Sequence, residues 1–146
     1  MAGFLRGFFP SRRFPLSFLL KRQNRTSLQG MGRDGFEMAA PAVENLNFDD
    51  IREGLSSGQI LLVDVREPNE FEAGHIPGSI LVPLSQFSVT DIPDAGDRRI
   101  VLSCRSGRRS LTAAAMAFDQ GLAIDAHYAG GFIDWVAAGG PVDTGL

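Results

Sequence analysis

From Pro41 onward the chain alternates between short apolar runs and segments whose apolar positions recur at helical spacing. Ile60-Leu-Leu-Val-Asp-Val65 is a nearly unbroken apolar run ending in charge, the pattern of a strand buried on both faces. Shorter strand-like runs are Ala42–Leu46, Ser79–Val82, Ile100–Ser103 and Ala126–Ala129. Between them, Asn47 is placed to cap a helix running through about Leu55, with Asp49 and Asp50 in the first turn, where the helix dipole favours acids. A helical turn over Asn69–Ala73 follows Pro68, and the alanine-rich Ser110–Gly121 reads as a helix stopped by its glycine. Phe132–Ala138 forms a last short helix, with Phe132, Trp135 and Val136 on one face as core. Strands alternating with helices predict an α/β fold with a central parallel sheet covered by helices on both faces.

Length and charge refine this picture. The chain has 146 residues, room for one ordinary domain with a real core. Its formal net charge of -3 conceals an asymmetry: residues 1–33 hold seven Lys/Arg and no acid, whereas residues 34–146 hold seven Arg and seventeen acids. The division falls into a basic leader over 1–40 and a domain over 41–146. The leader is rich in Arg, Phe and Ser, is broken by Pro10 and Pro15, and has no stable period. Three readings fit it: an organelle-targeting segment, a disordered basic tail, or translation that begins at Met31 or Met38. The acidic domain argues against nucleic acid as a partner, because phosphates would be repelled. No apolar run approaches the roughly 18 residues that span a bilayer, so no membrane partner is expected.

The chain has one cysteine, Cys104, which rules out an intramolecular disulfide and a thiolate zinc site. No metal and no cofactor is implied. A lone thiol suits a reducing compartment, so a cytoplasmic location is expected, or organelle import if the leader is a targeting signal.

Cys104 stands in Ile100-Val-Leu-Ser-Cys-Arg-Ser-Gly-Arg-Arg-Ser110. A buried strand delivers it to a C-terminal end, where ligand sites of open α/β sheets gather. A helix starts within a few residues, and its free N–H groups point back at the loop. Gly107 permits positive φ, so successive amides can converge into an anion-binding nest. Arg105, Arg108 and Arg109 supply three of the domain's seven cationic charges. A thiol among guanidinium groups at a helix N-terminus ionises more readily, and the thiolate is the nucleophile. Free cysteines are most often inert and buried, but such cysteines are not normally followed by R-S-G-R-R.

This loop resembles the Cys-x-x-Gly-x-Arg active-site loop of rhodanese-family sulfurtransferases, matching at Cys104, Gly107 and Arg109. Three further elements agree in order. Asp64-Val-Arg-Glu-Pro-Asn-Glu-Phe71 resembles the family's D-x-R-x-x-x-E-[FY] element. Gly74-His-Ile-Pro-Gly-Ser79 resembles its G-H-I-P-G-[AS] element, and Gly130-Gly-Phe-Ile-Asp-Trp135 with Gly140-Pro-Val142 its closing pattern. The resemblance implies a single-domain sulfurtransferase working by ping-pong transfer. Cys104 takes sulfur from a donor such as thiosulfate, holds it as a persulfide, and yields it to a thiol or sulfur-carrier acceptor. The amides of Arg105, Ser106, Gly107, Arg108 and Arg109 would stabilise the persulfide anion.

Other residues divide between site and scaffold. Arg109 could bind donor oxyanions or pair with a carboxylate; the family pattern favours bracing, which leaves Arg105 and Arg108 as substrate contacts. Arg66 could approach the site or form a loop-bracing ion pair with Glu67 or Glu70. His75 reads as a loop-fastening imidazole rather than a base, Asp64 as a loop-fixing acceptor, and His127 shows no identifiable partner. The competing function is a Cys-loop phosphatase or arsenate reductase, whose loop is Cys-x5-Arg; Ser110 stands where that arginine would fall. If the leader lies outside the fold, a chain starting at Met38 will unfold at the same temperature as the full chain, within about a degree. Calorimetry checks this, and loss of cooperative melting would show that the leader packs on the domain.

Overall fold

The computed structural model describes residues 39–146, so the leader expected over 1–40 lies almost wholly outside the described residues. Five strands and four helices follow in order: β1 (Glu44–Leu46), α1 (Phe48–Ser57), β2 (Ile60–Asp64), α2 (Pro68–Ala73), β3 (Ile80–Leu81), β4 (Arg99–Ser103), α3 (Arg109–Asp119), β5 (Ala126–Tyr128) and α4 (Gly131–Ala137). All strand pairs are parallel, in the order β1-β5-β4-β2-β3. Asn47 caps α1 as its position predicts. Its Oδ1 accepts from Asp50 N at 2.9 Å, and the Asp50 carboxylate accepts from Asn47 N at 3.0 Å. Two single 3₁₀ turns, Leu84–Gln86 and Val89–Asp91, lie between β3 and β4, where no periodicity announced them.

Strand alternation sorts the core into two layers. Ile60 and Leu62 of β2 pack with Leu46, Ile51, Val101, Tyr128 and Trp135, so α1 and α4 cover one face. Leu61 and Val63 pack with Leu102, Cys104, Ala113, Ala114 and Ala117, so α3 covers the other. Helices on both faces are what the alternating pattern predicted.

The order of strands locates the site. From β2 the chain moves outward to β3, whereas from β4 it moves the opposite way to β5. The loops after β2 and β4 therefore part company at the C-terminal edge, the switch point where open α/β sheets leave a crevice. Cys104 follows β4 directly at this edge.

The loop after β2 is held by a buried ion pair. Asp64 Oδ2 receives Arg66 Nη2 at 2.8 Å, Asp64 Oδ1 receives Arg66 N at 2.9 Å, and Arg66 Nη2 also reaches Gly74 O at 2.8 Å. The guanidinium lies over Phe132 of α4, 4.4 Å from the ring centroid. Arg66→Ala would leave the Asp64 carboxylate buried without its cation, a loss of about 3–5 kcal/mol. Denaturant titration should show it as a lowered midpoint with an unchanged slope.

Candidate active site

The loop after β4 wraps around one sulfur atom. Gly107 N donates to Cys104 Sγ at 3.1 Å and Ser110 N at 3.4 Å. Arg108, the N-cap residue of helix α3, supplies no side-chain cap, and Sγ itself receives a first-turn amide. Two glycines make the wrap possible. Gly107 sits at φ +94, and a Cβ there would overlap Ala129 O. Gly131 sits at φ +70, and a Cβ there would strike Arg105 O and Cys104 O. Removing those Cβ atoms lets α4 approach end-on, so that Phe132 N and Ile133 N donate to Cys104 O and Arg105 O at 2.9 and 3.1 Å.

Cys104 is 1% exposed. Burial pushes its thiol pKa up, but the hydrogen bond shared with the Ser110 hydroxyl and those from the amides of Ser110, Gly107 and Ser106 outweigh that, and the net shift is downward. The main lowering causes are hydroxyl and amide hydrogen bonds, and the Arg109 guanidinium also interacts electrostatically with Cys104. Arg105, Ser106 and Arg108 are exposed at the rim.

Arg109 is held by a carboxylate. It makes a two-pronged pair with Glu70 of α2, Nη1 to Oε1 at 2.8 Å and Nη2 to Oε2 at 3.0 Å. This joins the loops on either side of the switch point. Arg66 pairs with Asp64, not with the Glu67 or Glu70 that sequence suggested, and is buried. Cys104, Ser106, Gly107 and Ser110 are thus gathered at the sulfur, with Arg105 and Arg108 outside. Arg66 and Arg109 have carboxylate partners of their own.

His75 fastens its loop as expected: Nδ1 meets Phe71 O at 2.8 Å, the ring stacks on Phe71, and its backbone bridges Asp143. His127 does have partners, Ser110 Oγ at 2.7 Å and Asn45 Oδ1 at 2.8 Å. Sequence reasoning missed Ser110 as a neighbour of the sulfur, and His127 and Asn45 as the next two residues in the chain of contacts. The one available signal was that Ser110 occupies the phosphatase arginine position. Among the described residues no helix is long and apolar enough to cross a membrane.

The rhodanese-like domain profile matches residues 47–138, more than half the chain. The chain belongs to the rhodanese-like domain family. It is 31% identical over 114 residues to the thiosulfate:glutathione sulfurtransferase of Saccharomyces cerevisiae, covering 67% of this chain and 81% of that one. It is 37% identical over 91 residues to the HTH-type transcriptional regulator Rv0324 of Mycobacterium tuberculosis, covering 61% of this chain but only 40% of the regulator's length. Among solved structures, the human single-domain sulfurtransferase TSTD1 superposes with TM-score 0.55 at 29% identity, covering 66% of this chain and 97% of that one. A Rhodopseudomonas palustris protein, RPA3614, described as of unknown function and a possible tyrosine phosphatase, superposes with TM-score 0.58 at 33% identity, covering 69% and 85%.

The Arg109–Glu70 pair holds the Glu70 carboxyl near pKa 2, well below its ordinary 4.5; the Arg109 hydrogen bond is the main cause, opposed by burial. A depressed carboxylate pKa stabilises the fold above about 4.5, and the contribution is lost as pH falls toward 2. The pair is partly exposed, so Glu70→Gln should cost about 1–2 kcal/mol at neutral pH. The difference between the two proteins, followed by thermal melts, should shrink as pH falls through that window. A gap that held constant down to pH 2 would show that the carboxylate's charge is not what braces the loops.

Proposed function

We propose that the protein is a sulfurtransferase in which Cys104 carries sulfane sulfur as a persulfide. The observation that supports it most is a loop in which amide donors converge on a single sulfur. The Cys104 thiolate attacks the outer sulfur of thiosulfate, a new S–S bond forms, and the old S–S bond breaks with its electron pair leaving on sulfite. A thiolate acceptor then attacks the outer persulfide sulfur, and the departing pair restores the Cys104 thiolate. Charge balances in both steps. Exposed Arg105 and Arg108 suit the donor's oxyanion end at the rim, and the Ser106, Gly107 and Ser110 amides suit the anionic sulfur. The acceptor class we favour is a small thiol such as glutathione or a sulfur-carrier protein, given the yeast relative's name.

A phosphatase reading is not favoured. A phosphoryl group needs donors for its oxygens, and the arginine closing this loop faces Glu70. A carboxylate that could serve as general acid beside the sulfur is also lacking among the hydrogen bonds described there.

Incubation with thiosulfate should add one sulfur atom to the intact mass, removable by cyanide or dithiothreitol, while Cys104→Ser stays unloaded. The same preparation should release no phosphate from p-nitrophenyl phosphate. Sulfur transfer by the serine variant, or Cys104-dependent phosphate release by the unaltered protein, would refute the assignment.

A further inference from the structure

His127 stands behind the reacting sulfur and takes no part in the amide nest. It is 2% exposed, in β5 between its register partners Asn45 of β1 and Leu102 of β4. A chain of three contacts joins it to Cys104: Sγ to Ser110 Oγ at 3.5 Å, Ser110 Oγ to His127 Nδ1 at 2.7 Å, and His127 Nε2 to Asn45 Oδ1 at 2.8 Å. Its protons follow by elimination. Asn45 Oδ1 only accepts, so Nε2 carries hydrogen. Burial lowers the imidazole's pKa, so an imidazolium persists here only beside a thiolate; the neutral ring, with hydrogen on Nε2, leaves Nδ1 bare to accept the Ser110 hydroxyl proton. Ser110 Oγ in turn accepts from the thiol. Every donor points the same way, from the sulfur to Asn45, which is exposed on the edge strand.

Protonated in this way the Ser110–His127 chain serves a thiol, although the amides of Gly107 and Ser110 suit a thiolate. A thiolate only accepts, and Ser110 has one proton to give. If the hydroxyl turns to Sγ, Oγ and Nδ1 face each other at 2.7 Å with no hydrogen between them, unless Nδ1 has gained one. We propose that the thiol proton passes through Ser110 Oγ to His127 Nδ1, so that Cys104 reacts as the thiolate of a thiolate–imidazolium pair bridged by Ser110. The inference rests on Cys104 being the sulfur-transfer nucleophile. The S–H bond breaks and its electron pair stays on sulfur. Ser110 gives its proton to Nδ1 and takes the one from sulfur, so none enters or leaves. The imidazolium then donates Nδ1–H to Ser110 Oγ and Nε2–H to Asn45 Oδ1, and both N–H groups are satisfied.

The charged groups on neighbouring elements are otherwise engaged. Glu44 of β1 and Asp125 before β5 bind Arg99 of β4, and Glu44 lies on the opposite face of the sheet by strand alternation. Arg109 of α3 binds Glu70, Asp119 is exposed at the far end of α3, and Tyr128 of β5 donates to Asp134. Arg105 and Arg108 point to solvent at the rim. His127 is therefore a positioning residue whose ionisable partner is the sulfur itself, reached through Ser110.

The test is the pH dependence of Cys104 alkylation by iodoacetamide in the full chain, which reads thiolate without any sulfur donor. His127→Gln can still donate to Ser110 but cannot take a proton, so the midpoint should rise by about one pH unit, a tenfold loss of thiolate at neutral pH. Asn45→Asp puts a carboxylate against Nε2 at an exposed position, favours the imidazolium, and should lower the midpoint. Packing damage would not move two variants in opposite directions. Imidazole ¹⁵N shifts supply a second reading if His127→Gln fails to fold. Just above the wild-type midpoint, His127 should carry two protons in the unaltered protein and one in Cys104→Ser. Midpoints unmoved by either substitution, or one proton on His127 in both proteins, would overturn the relay. Failure of thiosulfate loading with the coupling intact would remove the sulfurtransferase reading and leave the relay standing.

Discussion

The sulfur of Cys104 caps helix α3, and the site is organised around that fact. A helix start buried under a loop needs acceptors for its first amides, and no serine, threonine or aspartate supplies one here. Sγ accepts from Gly107 N and Ser110 N, so the group we propose as the nucleophile also closes the backbone's hydrogen bonding. The consequence is electrostatic. Donors that cap a neutral thiol hold a thiolate better, and they need not move when charge develops on sulfur. The same fact explains why the nest depends on β5. Gly107 reaches its positive φ with its α-carbon against Ala129 O, and Gly131 lets α4 seal the loop's carbonyls.

The arginines separate into two kinds by what they touch. Arg66 and Arg109 each hold a carboxylate, and together with Asp64 and Glu70 they fasten the loops that diverge at the switch point. Arg105 and Arg108 extend into solvent, where they can attract an anion but contribute little to holding the loop. A guanidinium in the first group fixes geometry, and one in the second gives the mouth its sign. Counting all of them as substrate ligands merges two roles that distance alone distinguishes.

Much of the fold was legible because its signals are local. The apolar run Ile60–Val65, the Asn47 cap and the alanine-rich segment after Ser110 each identify an element within a dozen residues, and alternation of types then implies a parallel sheet. The two 3₁₀ turns were not legible, since a single turn has no period. Cys104 and Gly107 were legible from the loop itself. The partners of Arg109 and Arg66 were not, because Glu70 is 39 residues from Arg109, and the choice among Asp64, Glu67 and Glu70 depends on which way a buried loop folds.

His127 shows most clearly where local reading stops. Nothing near it in sequence suggests a role, and its two contacts lie 17 and 82 residues away. What brings them together is the strand order: β1 enters at the edge and pairs with β5, not with β2, which follows it in the chain. That crossover sets Asn45 beside His127, and the parallel register places His127 under the first turn of α3, where Ser110 stands. An edge strand formed by residues 44–46 therefore connects the buried sulfur to a polar group at the surface on the side away from Glu70. The amides stabilise charge on sulfur but cannot accept its proton. The strand order supplies the acceptor, so the nest and the imidazole answer separate requirements of one thiol.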